Sequence, residues 1–157
     1  MKFSRLAFLI PFALVGCGSP TGSSTEAVAV THGVSFGFCL PTAYCSSRLE
    51  VSAQTAVLTY ESRQRTPFVQ RRALDPAQWT KIATALDPAK LRALPEVVGC
   101  PDCADGGAES VAVTFGDGQV DSVTFEYRDD VAGIEALVDA LREIRTSFDP
   151  PPPAEAP

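Results

Sequence analysis

Two kinds of hydrophobic periodicity follow each other in the last third of the chain, and they constrain the fold more than any other feature. On either side of a tight turn containing Asp117-Gly118, apolar residues alternate with polar ones, which is typical of a β-hairpin. Beyond Asp129-Asp130, an expected helix cap, apolar residues recur three and four positions apart, as on one face of an amphipathic helix. The alternating positions are Val111, Val113, Phe115, Val123, Phe125 and Tyr127, and the helical positions are Ile134, Leu137, Val138, Leu141, Ile144 and Phe148. A hairpin and a helix of this kind bury their apolar faces against each other.

The middle of the chain carries two signals for the start of a helix. In the first, Asp75 is the expected N-cap, Pro76 takes the first helical position and Gln78 completes a capping box. In the second, Asp87-Pro88 repeats the signal, and Pro95 ends a short helix. The apolar positions of the two helices are Trp79, Ile82, Ala83, Leu86, Leu91 and Leu94.

The preceding part of the chain predicts strands. Residues 34–38 carry Val34, Phe36 and Phe38 in alternation, as a half-buried strand does. Residues 49–51 and 57–60 flank a polar turn at 52–55 and predict a hairpin. A segment around 67–70 predicts an edge strand, because Pro67 cannot donate a ladder hydrogen bond. The expected fold is therefore α+β: a two-layer sandwich in which an antiparallel sheet from two hairpins carries two amphipathic helices on one face, in the order ββαββα.

The N-terminus has the features of an export signal. Lys2 and Arg5 precede an apolar run at 6–15 that is too short to span a bilayer. The run ends in Leu14-Val15-Gly16-Cys17, which resembles the bacterial lipobox. That resemblance implies that residues 1–16 are removed and that Cys17 carries the lipid. In this family an Asp after the cysteine favours the inner membrane, so Gly18 predicts the outer membrane, on the side facing the periplasm.

The remaining chain divides by composition. Residues 17–27 read as a flexible Gly/Ser-rich tether, 28–148 as a single domain of ordinary size, and 149–157 as a proline-rich, unpacked tail. Without Lys2 and Arg5, the 13 Lys and Arg fall to 11 against 19 Asp and Glu, a net charge of −8. This balance argues against nucleic acid as a partner. The expected partners are the membrane, through the lipid, and an unidentified envelope protein or polymer.

Four cysteines remain besides Cys17, an even number in an exported chain, which predicts two disulfides. The local pairs Cys39–Cys45 and Cys100–Cys103 are favoured over cross-pairing, although sequence alone does not decide between them. Three other interpretations compete: thiol-redox catalysis or metal binding at the Cys100/Cys103 loop, a zinc site from all four thiolates, and a calcium site from Asp102, Asp105 and Glu109. The redox interpretation is weakened because a strand, not a helix, is expected after the loop. We predict no metal and no cofactor.

Catalytic motifs are missing from the sequence. The single histidine, His32, lies where the tether becomes the domain and is expected to be a solvated linker residue. There is no Gly-x-Ser-x-Gly elbow, no phosphate-binding glycine loop and no paired histidine motif. The sequence therefore favours a non-enzymatic binding or structural module without catalytic residues.

Two stretches, 35–51 and 99–109, resemble a group of small bacterial lipoproteins without an assigned activity. In that group a cysteine-bearing strand opens the domain, and a loop like Cys100-Pro101-Asp102-Cys103-Ala104-Asp105-Gly106-Gly107 precedes the last hairpin. The likeness covers most of residues 34–146. It implies a domain and its cysteines, not a reaction, and the five residues between Cys39 and Cys45 are more than the group would lead one to expect.

Overall fold

A computed structural model describes residues 26–153, which form six strands and three α-helices. No helix in this part of the chain is long and apolar enough to cross a membrane. The predicted signal peptide, Cys17, most of the tether and the last four residues lie outside the described residues. The strands are β1 (Ala27–Ser35), β2 (Ser46–Ser52), β3 (Thr55–Glu61), β4 (Phe68–Ala73), β5 (Ala108–Phe115) and β6 (Val120–Glu126), and the helices are α1 (Pro76–Ala85), α2 (Pro88–Ala93) and α3 (Glu135–Thr146).

All six strands join one antiparallel sheet in the order β4-β3-β2-β1-β5-β6. The first four strands form a meander. The chain then passes through α1 and α2 and returns to pair β5 with the free side of β1, so the first strand lies inside the sheet. The α+β prediction is confirmed, but the sheet is wider than two hairpins because β1 and β4 extend it. β4 lies at the edge, as Pro67 predicted.

One face of the sheet is apolar and is covered by the helices. Val30 lies opposite both Val51 and Val113, and the buried positions of the other strands continue the same rows. The other face carries Thr, Ser and charged residues, as an antiparallel sheet with one wet side does. The fully buried large side chains that form this core include Leu49, Leu58, Ile82, Leu91, Phe115, Phe125, Ile134, Leu137, Leu141 and Ile144.

The helix starts in the middle of the chain are formed as predicted. The Asp75 carboxylate accepts a hydrogen bond from the Ala77 amide at 2.8 Å, and the Gln78 side chain reaches back to the Asp75 amide. The Asp87 carboxylate accepts from the Ala89 and Lys90 amides at the start of α2. Side-chain caps of this kind stabilise a helix by about 1 kcal/mol each, which is why they are readable from sequence.

Two element positions differ from prediction. The first strand occupies Ala27–Ser35, not 34–38, and Phe38 is 83% exposed. α3 begins at Glu135 rather than after Asp129-Asp130, and its N-cap, Ile134, makes no side-chain cap bond. The reason is backbone conformation: Gly133 (φ 95°) is left-handed, so a helix that began at Asp129-Asp130 could not continue past this residue.

The start of the proline-rich tail packs against the domain, unlike the unpacked segment that composition predicted. The Gln70 side chain donates to the Asp149 carbonyl at 2.9 Å, and Arg65 Nη1 donates to the Pro152 carbonyl at 3.2 Å. Pro151 lies between these two contacts. Residues 149–153 therefore lie against the edge strand β4 and the loop that precedes it.

Candidate functional site

A buried polar pair lies on the helix-covered face of the sheet. His32 on β1 is 0% exposed, Glu109 on β5 is 2% exposed, and His32 Nε2 lies 3.1 Å from Glu109 Oε1. They are the buried polar or charged residues within 26–153. The expectation that His32 is a solvated linker residue is wrong, because β1 begins earlier than predicted and turns its imidazole inward.

Helix α3 supplies two arginines above this pair. Arg142 forms a bidentate ion pair with Glu109: Nε donates to Oε1 at 3.2 Å and Nη2 donates to Oε2. The Arg128 amide also donates to Glu109 Oε2, at 3.1 Å. Both carboxylate oxygens are thus saturated, which a buried carboxylate requires.

Arg145, one turn further along α3, binds neutral partners. Its Nε donates to His32 Nδ1 at 3.2 Å, its Nη1 donates to Ser47 Oγ at 2.6 Å, and its Nη2 donates to the His32 carbonyl. No carboxylate among residues 26–153 forms an ion pair with it, whereas Arg142 pairs with Glu109. Burial lowers the pKa of Arg145 from its usual value. Arg145 is therefore a partly buried cation without a described countercharge.

These contacts assign the protonation of His32. Because Nδ1 accepts from Arg145, the proton sits on Nε2, which donates to Glu109. Burial lowers the pKa of His32, and the positive charges of Arg145 and Arg142 act in the same direction, against the hydrogen bond to Glu109. The ring is neutral near pH 7, and its basic nitrogen is occupied. His32 thus has a structural role in holding Arg145.

Glu109 is ionised. Burial raises the pKa of its carboxyl, but hydrogen bonds from His32 and Arg142 outweigh burial and bring the pKa to about 2. The pair formed by Glu109 and Arg142 is therefore electrically neutral, and the charge of Arg145 remains.

A cleft of about 350 Å³ opens above this network, between the end of the sheet and the last turn of α3. Two aromatic pairs form its walls: Phe36 and Tyr127 meet edge-on with ring centroids 4.9 Å apart, and Tyr44 and Tyr60 lie 6.1 Å apart. Ring faces and edges thus surround the polar groups. The lining also includes Val34, Ser47, Glu109, Arg128, Arg145, Thr146 and Pro151.

The cysteines lie in the loops at this same end of the sheet. Cys39 and Cys45 are at disulfide distance, with Cα atoms 5.7 Å apart, and Cys45 lines the cleft. Cys100 and Cys103 are also at disulfide distance, with Cα atoms 5.5 Å apart. The structure brings together the local pairs that sequence favoured.

Asp102 joins the two cysteine loops. Its Oδ1 accepts hydrogen bonds from the Gly37 amide at 3.1 Å and the Gly107 amide at 3.2 Å. A Cβ on Gly37 would lie 2.1 Å from Asp102 Oδ2, and one on Gly107, whose φ is +88°, would lie 2.5 Å from Phe36 Cε1. The carboxylate and the two glycines therefore fix Phe36 in the cleft wall.

This role of Asp102 bears on the metal interpretations. Asp102 binds backbone amides, while Glu109 is turned inward to Arg142, so the ligands considered for calcium do not converge. Within 26–153, no three His, Cys, Asp or Glu residues are grouped as a metal ion requires. The Cys100/Cys103 pair adjoins a 3₁₀ turn of three residues (Cys103–Asp105) followed by β5, so no α-helix dipole is directed at its thiols.

No protein-family model matches the chain, and no curated protein matches it. The function is therefore inferred from the residues of the site. Sequence reasoning assigned no role to Arg142 and Arg145, yet a signal was present: both lie beside buried positions of the α3 stripe, and Glu109 is in the inward register of β5 with Val111 and Val113.

Proposed function

We propose that this chain is a bacterial cell-envelope lipoprotein whose domain is a non-enzymatic binding module, and that the cleft is its binding site. The anchor is the lipid on Cys17, and the expected location is the periplasmic face of the outer membrane. The cleft at the end of the sheet is the observation that carries the binding role. The sequence pattern at 1–17 is what supports the location.

The shape and lining of the cleft favour binding. Sites for small molecules are concave, largely apolar and about 300–1,000 Å³ in volume, with a few converging polar groups. Here the four aromatic rings provide the apolar walls, and Arg145 and Ser47 provide the polar groups.

The same polar groups argue for binding rather than for hydrolysis. A nucleophilic serine needs a base that accepts its proton. Ser47 Oγ instead accepts a hydrogen bond from Arg145, and the basic nitrogen of His32 accepts another. Both groups position the arginine.

Anchoring is tested with Cys17→Ser. Without the Sγ that accepts the diacylglyceryl group, the chain should lose lipid labelling entirely and move from the membrane to the soluble fraction. Labelling with a radiolabelled fatty acid, followed by fractionation, measures both effects. Cys39→Ser is the matched control and should remain labelled. Continued labelling of the Cys17 variant would refute the anchor.

Binding in the cleft is tested by photo-crosslinking in intact cells. A photoreactive phenylalanine derivative at Thr146, which lines the cleft, should give a discrete adduct in the mass spectrum of the purified protein. The control position is Val69, which is 55% exposed on the edge strand β4. Adducts at Thr146 alone support the proposal, whereas the same pattern at both positions, or none at Thr146, contradicts it.

Thiol-redox activity at Cys100 and Cys103 is the alternative function. Its support is that both residues are exposed and at disulfide distance. The three-residue turn beside them provides less thiolate stabilisation than a helix N-terminus would. The cleft is therefore a stronger candidate for the functional site than this loop.

A further inference from the structure

We propose that the cleft binds a small organic monoanion, a carboxylate with an aromatic or apolar body, and that Arg145 is the residue that binds its charge. This inference rests on the proposed binding role of the cleft and names the ligand class.

The charge of Arg145 favours an anionic ligand. Buried charges in proteins are normally paired, since an isolated cation in a low-dielectric site is costly. The Glu109 carboxylate is already matched by Arg142, at 2% exposure and with both oxygens bonded. Arg145 keeps a net positive charge beside the cleft, with His32, Ser47 and a carbonyl as its described partners. An incoming anion supplies the missing countercharge.

The second argument is hydrogen-bonding capacity. A guanidinium has five N–H donors, and the contacts described for Arg145 use three of them, one on each nitrogen. One N–H remains on each terminal nitrogen. Ser47 accepts through its oxygen, so its hydroxyl hydrogen is still able to donate. A carboxylate accepts such donors in pairs, and charge-assisted bonds are the stronger kind.

The third argument is the surroundings of the charge. Tyr60 and Tyr127 lie near Arg145, and the four rings of the walls suit a flat or apolar body. A volume of about 350 Å³ matches a compact molecule. Of the partly buried charges beside the cleft, Glu109 and Arg142 neutralise each other and Arg145 alone is unmatched, so one negative charge on the ligand balances the site.

The experiment compares phenylacetate with phenylacetamide, which have nearly the same shape but differ in charge. The protein is the mature chain with Cys17→Ser, labelled for heteronuclear NMR. Phenylacetate should shift the amide signals around Ser47, Tyr60 and Arg145 in a saturable way, with a Kd in the millimolar range or below. The amide should bind at least about tenfold more weakly, because a hydrogen bond to a charged group contributes more than a neutral one.

Two substitutions test whether Arg145 is the residue that binds the negative charge of the ligand. Arg145→Gln should abolish the preference for acid over amide, while Arg71→Gln, an exposed position on the edge strand β4 and outside the cleft lining, should leave it nearly unchanged. Should R145Q fail to fold, the acid–amide comparison on the otherwise unaltered chain still decides.

The outcomes distinguish a wrong ligand class from a cleft that binds no ligand. Equal binding of acid and amide in the cleft would overturn the anionic ligand class but leave the cleft as a binding site. Absence of acid binding up to about 10 mM would overturn the monoanion proposal, with the crosslinking at Thr146 then deciding the binding function separately.

Discussion

Replacing Glu109 with alanine should lower the free energy of unfolding by about 3–5 kcal/mol, the cost found when one partner of a buried ion pair is removed. The carboxylate takes bonds from His32, from Arg142 and from the Arg128 amide. Without it, Arg145 and the neutral His32 have no described countercharge, and Arg142 keeps only the exposed Asp130 and Asp139, each 3.8 Å away. Small domains have about 5–15 kcal/mol of stability in total, so the variant loses a large part of it.

Urea denaturation followed by the fluorescence of Trp79 measures this loss. The matched control is Glu50→Ala, a strand glutamate on the solvated face, half exposed and 3.3 Å from Arg48. An exposed pair of this kind contributes about 0–1 kcal/mol, so the control should remain close to the parent. Equal effects at Glu109 and Glu50 would show that the buried network does not stabilise the fold.

Acidification should destabilise the domain in two successive pH ranges. The pKa of His32 is lowered in the folded state, so below its ordinary value of 6.5 the unfolded chain takes up a proton that the folded chain does not. The pKa of Glu109 falls from 4.5 to about 2, so the unfolded chain again binds the extra proton across that range. In both cases stability is present at higher pH and is lost as pH falls.

The second range should have the larger effect. A shift from 4.5 to about 2 corresponds to about 3 kcal/mol of stability that is complete above pH 4.5 and is lost as pH approaches 2. Urea midpoints measured at a series of pH values test this. In Glu109→Gln, the decline below pH 4.5 should be shallower than in the parent by the contribution of this one carboxylate. Identical pH profiles of parent and variant would contradict the assignment.

The elements that sequence predicted correctly carry their own local signals. The hairpin of β5 and β6 has strict alternation around Asp117-Gly118, and α1 and α2 each have an Asp-Pro start. β1 was misplaced because its inward positions are Val30 and His32, with Ala, Thr and Gly between them. Phe36 and Phe38 gave a stronger alternation but lie in a loop. A polar inward residue in a strand of small residues is not distinguishable from a linker by periodicity.

The candidate site depends on contacts that no local pattern contains. His32, Glu109 and Arg145 come from β1, β5 and α3, and they meet because β5 pairs with β1 across more than seventy residues of intervening chain. The two-residue spacing from Val111 fits the inward register of Glu109, but sequence reasoning treated this residue only as a candidate calcium ligand. Sequence did not give the strand order, and therefore not the partner.

The place of β1 in the sheet has a mechanical consequence. β1 is the first element of the described residues, on the side of the proposed anchor, and it is hydrogen-bonded along its length to β2 on one side and β5 on the other. Tension between a membrane-held Cys17 and a captured ligand would enter the domain at Ala27, at the end of an interior strand. Pulling that strand along its axis must shear two ladders at once, whereas an edge strand pulled in the same way would shear only one. The attachment point is thus among the most load-resistant positions of the domain.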